Sequence, residues 1–452
     1  MTGFFQCILN YCDRANISPR ITTVSQNLDF GIGDKLYKKF CNSIVSIVWD
    51  PYLISFDVQS LTNLEKLDIV FNDQYDKTEI SLSLPNLKRL SIGFHEETIE
   101  LPKIINSSLE TLDIYSRNIH FDYLYPWKHS LKELIYRSSN DIPVETYRLI
   151  IGELKSLQTL VIPFLRETSL NETIELLSSV HNSLSTIELS NPLAQLKLNK
   201  SAELVDYLNK SKTIKSFTIY AIFLCTNGLK IINQTLESLI VQTKGRAILD
   251  LHQLWVCKSS LTTLQIEMAN HDNIESIFHY HIGSLKKVTF NRGTTKHLLV
   301  IKRMILENIP TLNTLGLFSY DEDSIKKLVN PLSSNRYISN LNLSTLTGKI
   351  LIEILQNCVN IVNIYIEYLF SFDLKKFSKI TSVSVKHLHS LVSLNTWNST
   401  SYSKEKTHDY LIQTFKNNIN LHTLKFSNYN IYSSPQLDKI LLSISPNFLE
   451  CN

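Results

Sequence analysis

A spacing governs this sequence. In Leu84-Pro85-Asn86-Leu87-Lys88-Arg89-Leu90-Ser91-Ile92-Gly93-Phe94, apolar residues stand at Leu87, Leu90 and Ile92, and the same 0, +3, +5 interval recurs from one end of the chain to the other. Positions +3 and +5 share a face by the period of two that a β-strand imposes, and the first apolar residue fills the bend leading into it. One short strand of this kind cannot bury its own apolar face. Stacked copies can, each laying three apolar side chains over those of the next. The spacing therefore predicts a solenoid.

Taking the first apolar residue as an anchor, seventeen units run from Ile21 to Leu421, 400 residues in sixteen steps and a mean of 25. Sixteen of them keep a large aliphatic or aromatic residue at both +3 and +5; Gln26 in the first unit is the exception. The expected organisation is an N-terminal helical cap over 1–20, around Phe4, Phe5, Ile8 and Leu9, followed by repeats over 21–452. The 41-residue interval between Ile380 and Leu421 contains a polar run read as an inserted loop near 395–407, with an anchor at Leu391 as the alternative register. A single core of 452 residues would ordinarily divide into domains, a limit that stacked repeats escape.

Helix signals lie between the strands. Ser169-Leu170-Asn171-Glu172 has the form of a capping box opening Thr173 to Val180, Asp323 is placed to cap Ser324 to Leu332, and Ser434-Pro435 precedes Leu437 to Ile444. Leu351, Ile354 and Leu355 mark the packed face of another helix. The fold class is thus α/β: a curved solenoid with parallel strands on its concave face and helices and irregular segments on its convex face.

Net charge of +3, from 45 basic and 42 acidic residues, gives no electrostatic footprint for nucleic acid or an anionic membrane. The N-terminus lacks a signal-peptide pattern and no apolar run is long enough to span a bilayer, so an intracellular location, cytoplasmic or nuclear, is expected. Seven cysteines without CxxC spacing suit reduced thiols.

No nucleotide-binding, metalloprotease or nucleophile-elbow motif is present, and 11 glycines leave little for phosphate-cradling loops. His279 with His281 and His387 with His389 are the best metal candidates, as i, i+2 pairs on a strand, but each lacks a third ligand. The reading is therefore no enzyme, no metal and no cofactor. What remains is the outward column at +2, +4 and +6. Aromatics and Arg anchor protein interfaces, which nominates Arg89, Tyr115, Arg137, Tyr220, Phe318 and Tyr365 as partner-binding residues.

Leu109-Glu110-Thr111-Leu112-Asp113-Ile114 and Leu157-Gln158-Thr159-Leu160-Val161-Ile162 resemble the strand motif of ribonuclease-inhibitor-like leucine-rich repeats, above all those of F-box/leucine-rich-repeat proteins. The resemblance covers Ile21 to the C-terminus. It implies a protein partner held on the concave face, as by a substrate-recognition component of a cullin-type ubiquitin ligase that also binds a ligase adaptor. Two features depart from that family. The 20 residues before Ile21 are too few for an F-box, and the family's Asn at +8 occurs at Asn72 but is replaced by His95, Arg117 and Leu165 in other units. Two other readings stand beside this one: a leucine-rich-repeat GTPase-activating protein working through Arg89, Arg117 or Arg137, and a purely structural scaffold.

Overall fold

The computed structural model describes residues 44–49, 58–71, 81–94, 103–106, 108–115, 123–137, 144–164, 166–179, 183–190, 197–198, 201–220, 222–223, 230–242, 258–268, 275, 277–281, 283–292, 295–370, 382–388 and 423–426. The cap expected at 1–20, the anchors Ile21, Ile380 and Leu421, the loop near 395–407 and the helix after Pro435 lie outside the described residues, as do Asn72, His95, Arg117, Leu165 and His389.

Two compact units emerge, Met1–Thr226 with Thr243–Gly245, and Asn227–Gln242 with Arg246–Asn452. The first holds β1 (Ser46–Trp49), β2 (Lys66–Phe71), β3 (Arg89–Phe94), β4 (Thr111–Tyr115), β5 (Glu133–Arg137), β6 (Thr159–Pro163), β7 (Thr186–Ser190) and β8 (Ser216–Tyr220). Each is parallel to the next and in the same register, so that Lys66, Arg89, Thr111, Glu133, Thr159, Thr186 and Ser216 align. The second holds β9 (Ser238–Gln242), β10 (Thr263–Met268), β11 (Lys287–Arg292), β12 (Thr314–Leu317), β13 (Asn340–Thr347), β14 (Asn363–Phe370), β15 (Ser382–Leu388) and β16 (Thr423–Phe426), again parallel, with Ser238, Thr263, Lys287, Thr314, Asn340 and Asn363 in line.

This α/β arrangement of serial parallel strands is consistent with a leucine-rich-repeat-like solenoid. All fourteen described anchors, Ile44 to Ile361, are at most 3% exposed, and +3/+5 pairs such as Leu90/Ile92 and Leu264/Ile266 are buried with them. The core is thus the stack of triads that the spacing requires.

Two ways of closing the bend before a strand recur. Where an aliphatic residue stands three before the anchor, the anchor N–H donates to its carbonyl: Leu64 to Leu61 at 3.0 Å, Leu157 to Leu154 at 3.2 Å, Leu312 to Ile309 at 3.1 Å. Where that residue is Asn, its side chain does the work. Buried Asn335 accepts from the N–H groups of Tyr337 and Ile338 at 2.9 and 2.8 Å and donates to the Ile305 carbonyl at 2.6 Å. Asn233 likewise accepts from the Thr235 and Leu236 N–H groups, and Asn106 donates to the Leu84 and Leu87 carbonyls. A polar residue immediately before the anchor then stitches one repeat to the previous one. Asn86 donates to the Thr62 carbonyl at 2.8 Å, Ser156 to His129 at 2.8 Å, Ser183 to Leu157 at 2.7 Å and Ser284 to Ser259 at 3.0 Å. These bonds give backbone carbonyls of one repeat a side-chain partner from the next.

Helices return the chain in some repeats: α1 (Val144–Glu153), α2 (Glu167–Ser179) and α3 (Ser201–Lys210) in the first unit; α4 (Thr295–Leu306), α5 (Glu322–Ser334) and α6 (Gly348–Asn357) in the second. Shorter intervals use single 3-10 turns, Val58–Ser60 and Tyr125–Trp127, or the short parallel pair Ser81–Ser83 and Lys103–Ile105. Leu351 and Ile354 are buried on α6 as expected. Three local expectations are corrected. α2 starts at Glu167, so Ser169 lies inside its first turn rather than at its cap. The cap of α5 is Asp321, not Asp323: its backbone is extended and its carboxylate accepts the Ser324 N–H at 2.7 Å. His279 and His281 are not on a strand but in a π-helical turn, Ile277–His281, where residues two apart diverge; His279 is exposed and His281 buried.

Candidate partner-binding face

Alternation along each strand sends +2, +4 and +6 to the face opposite the apolar triads. In the first unit this face is ionic and aromatic around a small apolar patch. Its centre is Ile135 on β5 beside Val161 on β6, aligned in register and half-buried. Tyr115 and Arg137, the last residues of β4 and β5, also face each other in register. Tyr115 is 53% exposed and the Arg137 side chain 62%, so both present most of their surface outward.

Charge alternates around that centre. The Arg137 Nε lies 3.7 Å from the Asp113 carboxylate, Lys66 pairs with Asp68 at 2.8 Å, and the Thr111 hydroxyl donates to Glu133 at 3.2 Å. Partial burial holds Asp113 above the usual carboxylate range, and the nearby Arg137 and Arg89 guanidiniums only partly offset it. Glu188 on β7 is raised for the same reason, with Arg137 as its compensating charge. Tyr220, at the end of β8, is raised first by burial and then by the negative field of Glu188.

Four of the six nominated residues, Arg89, Tyr115, Arg137 and Tyr220, therefore fall on one ribbon within the first unit. Phe318 and Tyr365 fall in the second. Phe318 directly follows β12, its N–H donating to the Phe290 carbonyl at 2.8 Å, and Tyr365 on β14 aligns with Asn342 on β13. Around them the second unit is mostly uncharged. Asn363 donates to Asn340 at 2.6 Å, Asn340 to Thr314 at 3.3 Å, and Gln265 to Asn291 at 3.3 Å. Gly316 leaves space that Thr289 fills: a Cβ built on it would lie 2.6 Å from the Thr289 Oγ1.

Asp113, Glu188, Ile135 and Val161 were not among the nominated residues. All four stand at +4, a column the sequence identifies, but their half-burial depends on which neighbours flank them across the sheet.

Away from this face, the Ser259 Oγ meets the His281 Nδ1, a nucleophile beside a base. The contact fastens a bend instead: Ser259 Oγ also accepts the Leu261 N–H at 3.3 Å, and the imidazole is wholly buried, which lowers its pKa to about 4. The thiol of buried Cys358 donates to the Val329 carbonyl at 3.6 Å, and burial pushes its pKa up to about 12. Among the described residues, no group of three or more His, Cys, Asp or Glu is placed to hold a metal ion, and no helix is long and apolar enough to cross a membrane. Compared with known proteins, the chain matches no protein-family model and no curated protein.

Proposed function

We propose that this chain is a ribonuclease-inhibitor-like leucine-rich-repeat solenoid acting as a binding module rather than an enzyme, with a protein partner seated on the concave face formed by its strands. One observation carries the reading: Tyr115 and Arg137 stand side by side in register, well exposed, over the half-buried Ile135 and Val161 and within a rim of opposite charges. Apolar centre, charged rim and aromatic or Arg anchors are the anatomy of protein interfaces. The resemblance to F-box/leucine-rich-repeat proteins extends the proposal to a partner that is the substrate of a cullin-type ubiquitin ligase, inside the cell.

Affinity capture tests the face. Tyr115→Ala combined with Tyr220→Ala weakens retention of the partner by roughly 2–4 kcal/mol if both are hot spots. Lys326→Ala with Lys327→Ala, two exposed positions on α5, leaves retention unchanged. Capture abolished by the lysine pair and untouched by the tyrosine pair would assign the work to the helical side and overturn the reading.

A further inference from the structure

The geometry points to a partner segment that brings a Lys or Arg side chain to Glu188, beside Tyr220, and an adjacent apolar side chain to Ile135 and Val161. The inference rests on the reading of this ribbon as the binding face and goes on to specify the chemistry of the occupant.

Charge placement carries it. Glu188 stands at +4 on β7, in register between Val161 on β6 and Thr218 on β8, so neither neighbouring strand offers it a cation at that level. Among the described residues no basic group pairs with it, whereas Arg137, two strands away, leans on Asp113 at 3.7 Å. Two strand spacings amount to about 10 Å. One guanidinium thus serves two partly buried carboxylates and sits against the other one. Glu133 adds a third negative charge beside Ile135 and accepts a hydrogen bond from the Thr111 hydroxyl. Among the described residues, three carboxylates, Asp113, Glu133 and Glu188, face two guanidiniums there, Arg137 and Arg89, so the local balance around the apolar pair is short of positive charge.

The same placement selects against other occupants. An acidic segment or a nucleic-acid backbone would set its charge against Asp113, Glu133 and Glu188, and like-charge contact across an interface costs several kcal/mol. A cationic side chain gains on three counts. Its head can make a charge-assisted hydrogen bond to Glu188. The Tyr220 ring beside that carboxylate offers a cation–π contact. Its alkyl stem can lie along Val161 and Ile135. Partial burial raises the Glu188 carboxyl, and Arg137 only partly offsets it.

The test uses the full chain and three fluorescein-labelled decapeptides of alternating sequence, Leu-Arg, Leu-Ser and Leu-Glu, followed by anisotropy. The Leu-Arg peptide binds tightest. Glu188→Gln weakens it by about tenfold, the scale of one lost hydrogen bond to a charged group. Glu188 lies at a partly exposed position, and circular dichroism verifies that the variants are folded. An unchanged affinity in Glu188→Gln, no Leu-Arg binding at all, or preference for Leu-Glu would each overturn the inference. The broader reading fails separately. If Leu-Glu binds best and is lost in Tyr115→Ala with Tyr220→Ala, the ribbon remains an interface and only the cationic assignment falls. If the double tyrosine variant changes binding of none of the three peptides, both fall.

Discussion

Single residues decide how the bends between strands are closed, and His281 shows what one such choice costs. Its ring is fully buried in the π-helical turn, and burial lowers its pKa from 6.5 to about 4. The folded chain therefore holds it neutral, while the unfolded chain protonates it near 6.5. Stability from this residue is complete above pH 6.5 and is lost as pH falls through 6.5 towards 4, by on the order of 2–3 kcal/mol between pH 7 and 4.5. Urea unfolding at those two pH values measures it. His281→Gln removes the titration while keeping a polar side chain near Ser259, so the loss on acidification should shrink by that amount relative to the native chain. Parallel losses in the two proteins would show that His281 does not titrate across this window. Asn335, Asn233 and Asn106 make the related point without charge: each answers at least two backbone groups in a bend, a task that water cannot perform in the core.

At the scale of elements, the strands were legible because their signal is redundant. The 0, +3, +5 triad marks each strand, and every described anchor proves buried. The stitching residue is equally present, as Asn, Ser or Thr before most anchors, but nothing in a single repeat says that such a side chain reaches the preceding one. Helix starts were legible only to within a few residues. Asp321-Glu322-Asp323 offers two acids able to cap α5, and the choice depends on which one has an extended backbone. The period of two does not hold for the His279/His281 pair, because the chain winds into a turn there. On the candidate face, sequence gave the outward column and its aromatics. It could not give the half-burial of Asp113 and Glu188, which arises from side chains on other strands. Gly316 supplies a test of the sheet register itself. With the Thr289 Oγ1 2.6 Å and Cγ2 2.8 Å from where its Cβ would lie, Gly316→Ala should destabilise the second unit by roughly 1–3 kcal/mol through overpacking. Adding Thr289→Ala removes both of those atoms and should restore most of the loss in a thermal melt. Additive destabilisation in the double variant would place these two residues apart and the register of β11 and β12 in error.

Taken as a whole, the molecule repeats one core and varies its surface. The same buried triad runs through both units, while the outward face is ionic and aromatic in the first and amide-rich in the second. A repeat architecture permits this division: each strand needs only its neighbours to bury its triad, which leaves the outward column free for recognition. On the proposed function, the outward column of the first unit, not the helical side, touches the partner. Photo-crosslinking in cells measures this directly, with benzoylphenylalanine placed at Ile135 in one variant and at Lys326 in another. The account predicts a discrete protein adduct from position 135 and none from position 326; an adduct from 326 with none from 135 would contradict it.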